Sequence, residues 1–426
     1  MKRRVKQAAA QRWHTHLMWL KPGLGVKRWL LFLALGVGLL SLGSAVALRV
    51  LYPLPQYFYY LTLQFLPRAL RALLFLILGI GIIGYSLWGL NQAILAPFLT
   101  GKHTPIPEVL FDYRRRGRGP RVVVIGGGHG QATALRGLKA YTSNLTAIVT
   151  VADDGGSSGR LRRDIGILPP GDFRNCIAAL ANDESLMTRL FQYRFADGKD
   201  LSGHSFGNLF ISAMAGITGS FEAALMESSQ VLAVQGQVLP STLETVTLCA
   251  DVARSGDTPV RVRGESQIPT VEGHILRVSL EPTSPRAYPG AIRAILEAGL
   301  VIIGPGSLYT SILPNLLVPE IVESLKATPA PKVYICNVAT QRGETDGYTA
   351  RQHFSALERH VGPGVIDVVV VNDGQAHSSV RAETEWVKPD MLGQGALQVI
   401  QTDLIDHTNG GRHDSERLAH VLLELI

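Results

Sequence analysis

The sequence predicts an α/β fold, a mostly parallel sheet with flanking helices and a small β-rich excursion, preceded by an N-terminal two-helix transmembrane hairpin. Three observations carry that expectation. Residues 29–48 and 72–90 are runs of 20 and 19 residues without a charge, each long enough, at about 1.5 Å per residue, to cross a hydrocarbon core of about 30 Å. From residue 121 onward, short apolar runs recur, each followed by Gly, Ser, Thr, Asn or Asp, and segments of helical spacing separate them. That alternation reads as βαβ units in a parallel sheet. Between residues 244 and 281 the pattern changes to short alternating runs broken by turn residues, as in a small β-rich excursion of the same domain.

The hairpin, residues 1–96, is oriented by its cations. Eight Lys or Arg and no acid precede Trp29, three cations lie in the connector 49–71, and Lys102 with Arg114, Arg115, Arg116 and Arg118 follow the second run. Both ends therefore read as cytoplasmic, with two spans in the inner (plasma) membrane. The connector's Tyr52, Tyr57, Phe58, Tyr59 and Tyr60 form an aromatic belt or pack as a re-entrant segment. A cleaved signal peptide would have an apolar part of only about 7–15 residues and no second span. A basic linker, 97–120, leads to the domain at 121–426. The net charge of +7 sits mostly in the N-terminal flank, so the remainder is near neutral and no nucleic-acid surface is expected. The flanking cations suit anionic lipid heads. Cys176, Cys249 and Cys336 are far apart, which gives neither a zinc knuckle nor a disulfide framework.

The domain opens with an apolar strand, 121–125, the loop GGGHG at 126–130 and a segment of helical spacing. Glycines there let backbone N–H groups approach an anion at a helix N-terminus. No G-K-[ST] follows, and Gln131 and Thr133 break the strict dinucleotide fingerprint. The next strand ends in Asp153 and Asp154. Carboxylates at this place accept from ribose hydroxyls or hold Mg²⁺ against phosphate oxygens; the plain alternative is an Asx turn. Gly155 and Ser157 add N–H and hydroxyl groups, and Arg160 offers a planar fork to phosphate.

PPGDFRN at 169–175 opens a helix, with Asp172 at the N-cap or on a ligand. In GHSFGN, 203–208, His204 and Ser205 form no credible triad with Asp172, because the nucleophile elbow is missing. The second anion cradle is GPGSLYTSILP, 304–314, where Gly304 and Gly306 precede the donors Ser307 and Thr310. Near the C-terminus Asp414 or Ser415 caps a helix, and Arg412 stands just ahead of it.

Taken together, GGGHG, TVADDGGSSGRLR, PPGDFRNC, SGHSFGN, YPGAIRAI, GPGSLYTSILPNLL, NVATQRGETDGY and GRHDSERLA resemble the gluconeogenesis factor family (YvcK-like proteins), bacterial relatives of the CofD-like 2-phospho-L-lactate transferases. The resemblance runs from Arg121 almost to the C-terminus and leaves out the first 120 residues, where typical members have nothing comparable. It implies a Rossmann-like nucleotide-binding domain. One branch transfers a phospholactyl group from a nucleoside diphosphate with Mg²⁺. The other, favoured by NVATQRGETDGY, binds UDP-sugars such as UDP-N-acetylglucosamine and links carbon metabolism to peptidoglycan precursor supply and cell shape.

By matching position, the resemblance places Gly127, Gly128 and Gly130 on the diphosphate, Asp153 and Asp154 on ribose or metal, and Ser307 with Asn337 in the pocket. It adds Arg412 as a ligand contact, and Asn175, Asn208, His204 and Thr340 lie in matching blocks. His129 stands where many members have Thr, and Arg342 where most have Pro. Two functions follow as expectations. One is a membrane-tethered UDP-sugar-binding regulator with a protein partner in envelope precursor synthesis, compatible with a homo-oligomer and with no certain cofactor. The other is a Mg²⁺-dependent transferase. A dinucleotide oxidoreductase is disfavoured by the broken fingerprint.

Overall fold

The computed structural model describes residues 114–181, 186–198, 200–254, 258–374, 385–393, 395–407 and 411–425, with scattered positions between 34 and 84. The chain divides into two compact units, 1–114 and 115–426. Among the described residues no helix is long and apolar enough to cross a membrane; the expected spans at 29–48 and 72–90 lie largely outside them.

The second unit is built on a seven-stranded, wholly parallel sheet. Its strands are β1 (Val122–Gly126), β2 (Leu145–Val149), β3 (Gln237–Pro240), β7 (Leu300–Ile303), β8 (Lys332–Ile335), β9 (Val368–Asn372) and β10 (Gln398–Thr402), in the spatial order 10-9-8-7-1-2-3. Every residue of β1, β7 and β9 is buried, because helices cover both faces of such a sheet and favour runs like VVVIG and VVVVN over alternation. Each fully buried Val or Ile contributes about 1.5–3 kcal/mol. Val122 pairs with Leu145 on one side and with Leu300 on the other.

Helices follow the strands. α1 (Gly128–Leu138) packs between α3 (Gly171–Leu180) and α11 (Ser415–Leu423). α2 (Gly156–Ile165), α4 (Leu186–Gln192), α5 (Phe206–Thr218) and α6 (Phe221–Val231) lie between β2 and β3 in the chain. α7 (Pro289–Leu296), α8 (Leu313–Leu316), α9 (Pro319–Ala327) and α10 (Ala350–Val361) complete the set. α10 begins as its sequence requires: Thr349 and Gln352 exchange side-chain and backbone bonds of 3.3 and 2.8 Å, a capping box. Gln131 breaks the dinucleotide fingerprint for a structural reason. Its buried Nε2 donates to Val124 O (2.8 Å) and Ile148 O (2.9 Å), clamping α1 to β1 and β2.

The excursion is a three-stranded antiparallel sheet, β4 (Thr247–Ala253) between β5 (Val260–Arg263) and β6 (His274–Glu281), with a 3₁₀ turn at Glu265–Thr270. Some boundaries differ from the sequence pattern. α1 starts at Gly128 rather than at Gln131, since the glycines make up its first turn, and β9 starts at Val368 rather than at 365.

The chain order reverses between β1 and β7. From β1 the strands run to β2 and β3 on one side, and from β7 to β8, β9 and β10 on the other. That switch point opens a crevice at the carboxyl ends of the strands.

Candidate functional site at the switch point

Two glycine loops meet over β1 and β7. The loop after β1 passes through Gly127 into α1, and the loop after β7 runs Gly304, Pro305, Gly306. They touch at Gly130, where a Cβ would stand 2.4 Å from Pro305 O; no larger residue fits without separating the loops. The second loop is held from β8. Asn337 Oδ1 accepts from Gly306 N (3.2 Å), Asn337 Nδ2 donates to Gly306 O (2.8 Å), and Gln341 Nε2 donates to Ser307 Oγ (2.5 Å). Between the loops lies a cleft of about 290 Å³, walled by 127–130, 305–307, 337–341 and 411–413.

Arg412 reaches the rim of this cleft because its neighbour is fixed. His413 is buried, bridges Ile405, and places Nε2 3.1 Å from Cys336 O at the end of β8. Burial pushes its pKa down to about 4, so the ring is neutral and Nε2–H donates to that carbonyl. Asp414, not Ser415, caps α11 by accepting from Glu416 N and Arg417 N. The local field is positive: burial lowers the His129 pKa, and Arg412, Arg174 and Arg136 lower it further. Glycine loops, a helix N-terminus and this field make the cleft suited to a phosphate-bearing ligand.

An acidic wall lies beside it. Asp153 Oδ1 accepts from Gly155 N (2.9 Å), and burial raises its pKa. Asp172 sits in the first turn of α3, beyond the capping position held by Pro170, and accepts from the Gly128 N–H. Burial and the neighbouring Asp153 raise it to about 7. Asp154 Oδ1 accepts from Ser266 N (2.9 Å), which ties this loop to the excursion, and its charge helps to raise the Asp153 pKa. Burial, Asp153 and Asp154 push Glu265 up to about 8, and burial pushes Glu344 up to about 7. Among the described residues no three His, Cys, Asp or Glu side chains are grouped to hold a metal ion. Mg²⁺ commonly needs only one or two carboxylates plus substrate phosphates; Asp153 with Asp172 fits that requirement, because their repulsion is what a cation would relieve.

Of the residues expected at the site, Gly127, Gly128, His129, Gly130, Gly306, Ser307, Asn337, Thr340 and Arg412 line the cleft, and Gly304 opens its second loop. Others are engaged elsewhere. Ser157 Oγ lies 2.9 Å from His204 Nδ1 and accepts from Asn208 Nδ2 (3.1 Å); all three are buried and tie α2 to α5. Arg160 donates to Ser202 O (2.8 Å), and Asn175 accepts from Arg174 (2.8 Å). Thr310, expected as a ligand donor, is buried and donates to Glu344 Oε1 (3.0 Å). The sequence pattern did not single out Arg174, Glu265, Gln341 or Glu344. The first and the last two stand within the quoted blocks, but only the fold shows which way they face.

Comparison with known proteins gives the family and agrees with the fold. The family model for 2-phospho-L-lactate transferase CofD matches residues 122–405. A protein named gluconeogenesis factor from Bacillus subtilis is 48% identical over 73% of this chain and 99% of its own length. A relative from Nostoc sp. is 45% identical over 95% of this chain and 91% of its own. The Nostoc match shows that the region before residue 121 is largely shared with some relatives, while the Bacillus subtilis protein, matched over 99% of its own length, covers only 73% of this chain. A crystal structure of a protein from Bacillus halodurans superposes with a TM-score of 0.67 at 44% identity, covering 72% of this chain and 99% of that one. With eight motif blocks in order, a wholly parallel sheet and a glycine-walled cleft at its switch point, this chain belongs to the gluconeogenesis factor family of CofD-like proteins.

Proposed function

We propose that the chain is a membrane-tethered binding protein for a UDP-sugar, UDP-N-acetylglucosamine, which couples carbon supply during gluconeogenic growth to envelope precursor synthesis and cell shape. The observation that carries this reading is the pairing of two glycine loops with the exposed Arg412 at one cleft; the Ser157–His204 contact lies outside its lining. A diphosphate lies along the loops, Ser307 and Asn337 border it, and Arg412 closes the rim. The tether rests on the two uncharged runs and their basic flanks. It holds the cytoplasmic domain near membrane-bound envelope enzymes, one of which is the expected partner.

The test is calorimetric titration of the chain with UDP-N-acetylglucosamine, with and without Mg²⁺, followed by analysis of the recovered nucleotide. Intact ligand bound in the micromolar range supports a sensor; no binding defeats it. Removing residues 1–96 should release the protein from the membrane fraction, and an unchanged distribution would defeat the tether.

A second reading is favoured by one feature, the buried Asp172 beside the cleft with Asp153 near it, burial and that neighbour together raising its pKa to about 7. In a transferase of the 2-phospho-L-lactate type, Mg²⁺ bound there would neutralise charge on a nucleoside diphosphate donor, chemistry that needs mainly positioning. Asp153→Asn would then abolish turnover while leaving much of the nucleotide binding. Absence of product from any nucleoside diphosphate donor with Mg²⁺ removes this reading.

A further inference from the structure

Arg174 lies in the second turn of α3 and is only 9% exposed. Its stem crosses the first turn of α5 at Gly207, where a Cβ would stand 2.8 Å from Arg174 Cγ and 2.9 Å from Cδ. Glycine at 207 is therefore what lets the side chain through. The guanidinium is poorly satisfied. Nη2 donates to Asn175 Oδ1 at 2.8 Å, while Nε has no partner. No described carboxylate forms an ion pair with it; Asp172 and Asp153 act on it only at longer range, and Arg194 adds a second positive charge. One residue past Gly207, the buried Asn208 also leaves Oδ1 without a partner.

A buried cation without a counter-ion costs several kcal/mol unless something compensates it. The place is already suited to an anion, since α3 and α5 both begin here and helix N-termini favour negative charge. It also adjoins the cleft: Asp172, two residues before Arg174, accepts the Gly128 N–H, and His129 lies within the fields of both Arg412 and Arg174.

We propose that Arg174 anchors a second oxyanion subsite, which receives an acidic group, carboxylate or phosphate, carried on the ligand beyond the diphosphate held by the glycine loops. This inference rests on the nucleotide-binding reading above and extends its ligand class: UDP-N-acetylglucosamine, with a neutral sugar, leaves the subsite empty, and nucleotide sugars bearing an acidic substituent on the sugar fill it. The planar fork of Arg matches either oxyanion. Arg174 is thus kept ready for the ligand rather than for the fold.

The experiment compares UDP-glucuronate with UDP-glucose, which differ by a carboxylate, on the full chain and on Arg174→Met, an apolar replacement of similar length. The wild type should prefer UDP-glucuronate by about tenfold or more, as expected for a charged hydrogen bond. Arg174→Met should erase that preference and have a ligand-free Tm no lower than wild type, since removing an unpaired buried charge is neutral or stabilising. Arg174→Lys should keep part of the preference. Equal affinity of the wild type for the two nucleotides, or an undiminished preference in Arg174→Met, overturns the proposal. If neither nucleotide binds the wild type, the nucleotide reading has failed, and inorganic phosphate then reads the subsite alone. A phosphate-dependent rise in Tm that Arg174→Met lacks supports it, and equal behaviour of the two proteins overturns it.

Discussion

Two cavities on the same sheet differ in a way that separates size from purpose. The larger, about 800 Å³, lies at the amino ends of β1 and β2 and along β3, between α6 and α7. Several of its polar groups already have partners: Arg121 pairs with Glu297 at 2.8 Å, and Tyr288, whose phenol is pushed up to about 12 by burial, is bonded to Glu222. The smaller, about 290 Å³, lies at the carboxyl ends, walled by the two glycine loops and by the exposed Arg412. What marks a site in a doubly wound sheet is a place at the switch point, beyond the carboxyl ends of the strands, and volume alone does not supply it.

Four changes break or sharpen that contrast. The largest effect concerns the acidic wall beside the small cavity. Glu344 is buried with Oε2 unpartnered, and its pKa is raised from 4.5 to about 7. The folded state therefore holds the proton more tightly than the unfolded chain, so stability falls as pH rises through this window. Glu344→Gln keeps an acceptor for Thr310 and should remove about 2–3 kcal/mol of that decline. Chemical denaturation at pH 4.5 and 7.5 measures it, and identical slopes for both proteins would contradict the buried carboxyl.

Arg412→Ala comes next, weakening UDP-N-acetylglucosamine binding by about 1.5–3 kcal/mol if a charged hydrogen bond is lost; calorimetry showing unchanged affinity would take Arg412 out of the site. Gly130→Ala forces the two loops apart and should cost about 1–3 kcal/mol of stability together with loss of binding, read by thermal unfolding and titration. The smallest effect belongs to the large cavity. Met226→Trp, at a 58% exposed position on its wall, should leave nucleotide affinity within about twofold, because distant sites act independently. A strong loss there would mean that the large cavity is the ligand site.

Much of the cleft was legible because its chemistry is carried by runs of consecutive residues. GGGHG and GPGS follow buried strands, and a glycine loop after a strand in a βαβ unit announces an anion cradle whatever the rest of the fold does. The excursion was legible from its change of period. What escaped depends on contacts between residues far apart in the chain. Ser157, His204 and Asn208 looked like ligand groups but bond to one another across as many as 51 positions, and Thr310 turns to Glu344. Arg174 looked ordinary because the vacancy that admits it belongs to Gly207, a glycine inside a different motif. The short edge strand β10 carries a weakly apolar sequence, QVIQT, which has no pattern of its own without β9 beside it.

The contact between Gly130 and Pro305 fixes how far apart the walls of the cleft can stand. Because backbone meets backbone there, the gauge of the slot is a property of the main chain and is indifferent to the side chains around it. Related chains can therefore change what the slot selects by exchanging rim residues such as His129, while the width offered to a diphosphate stays the same.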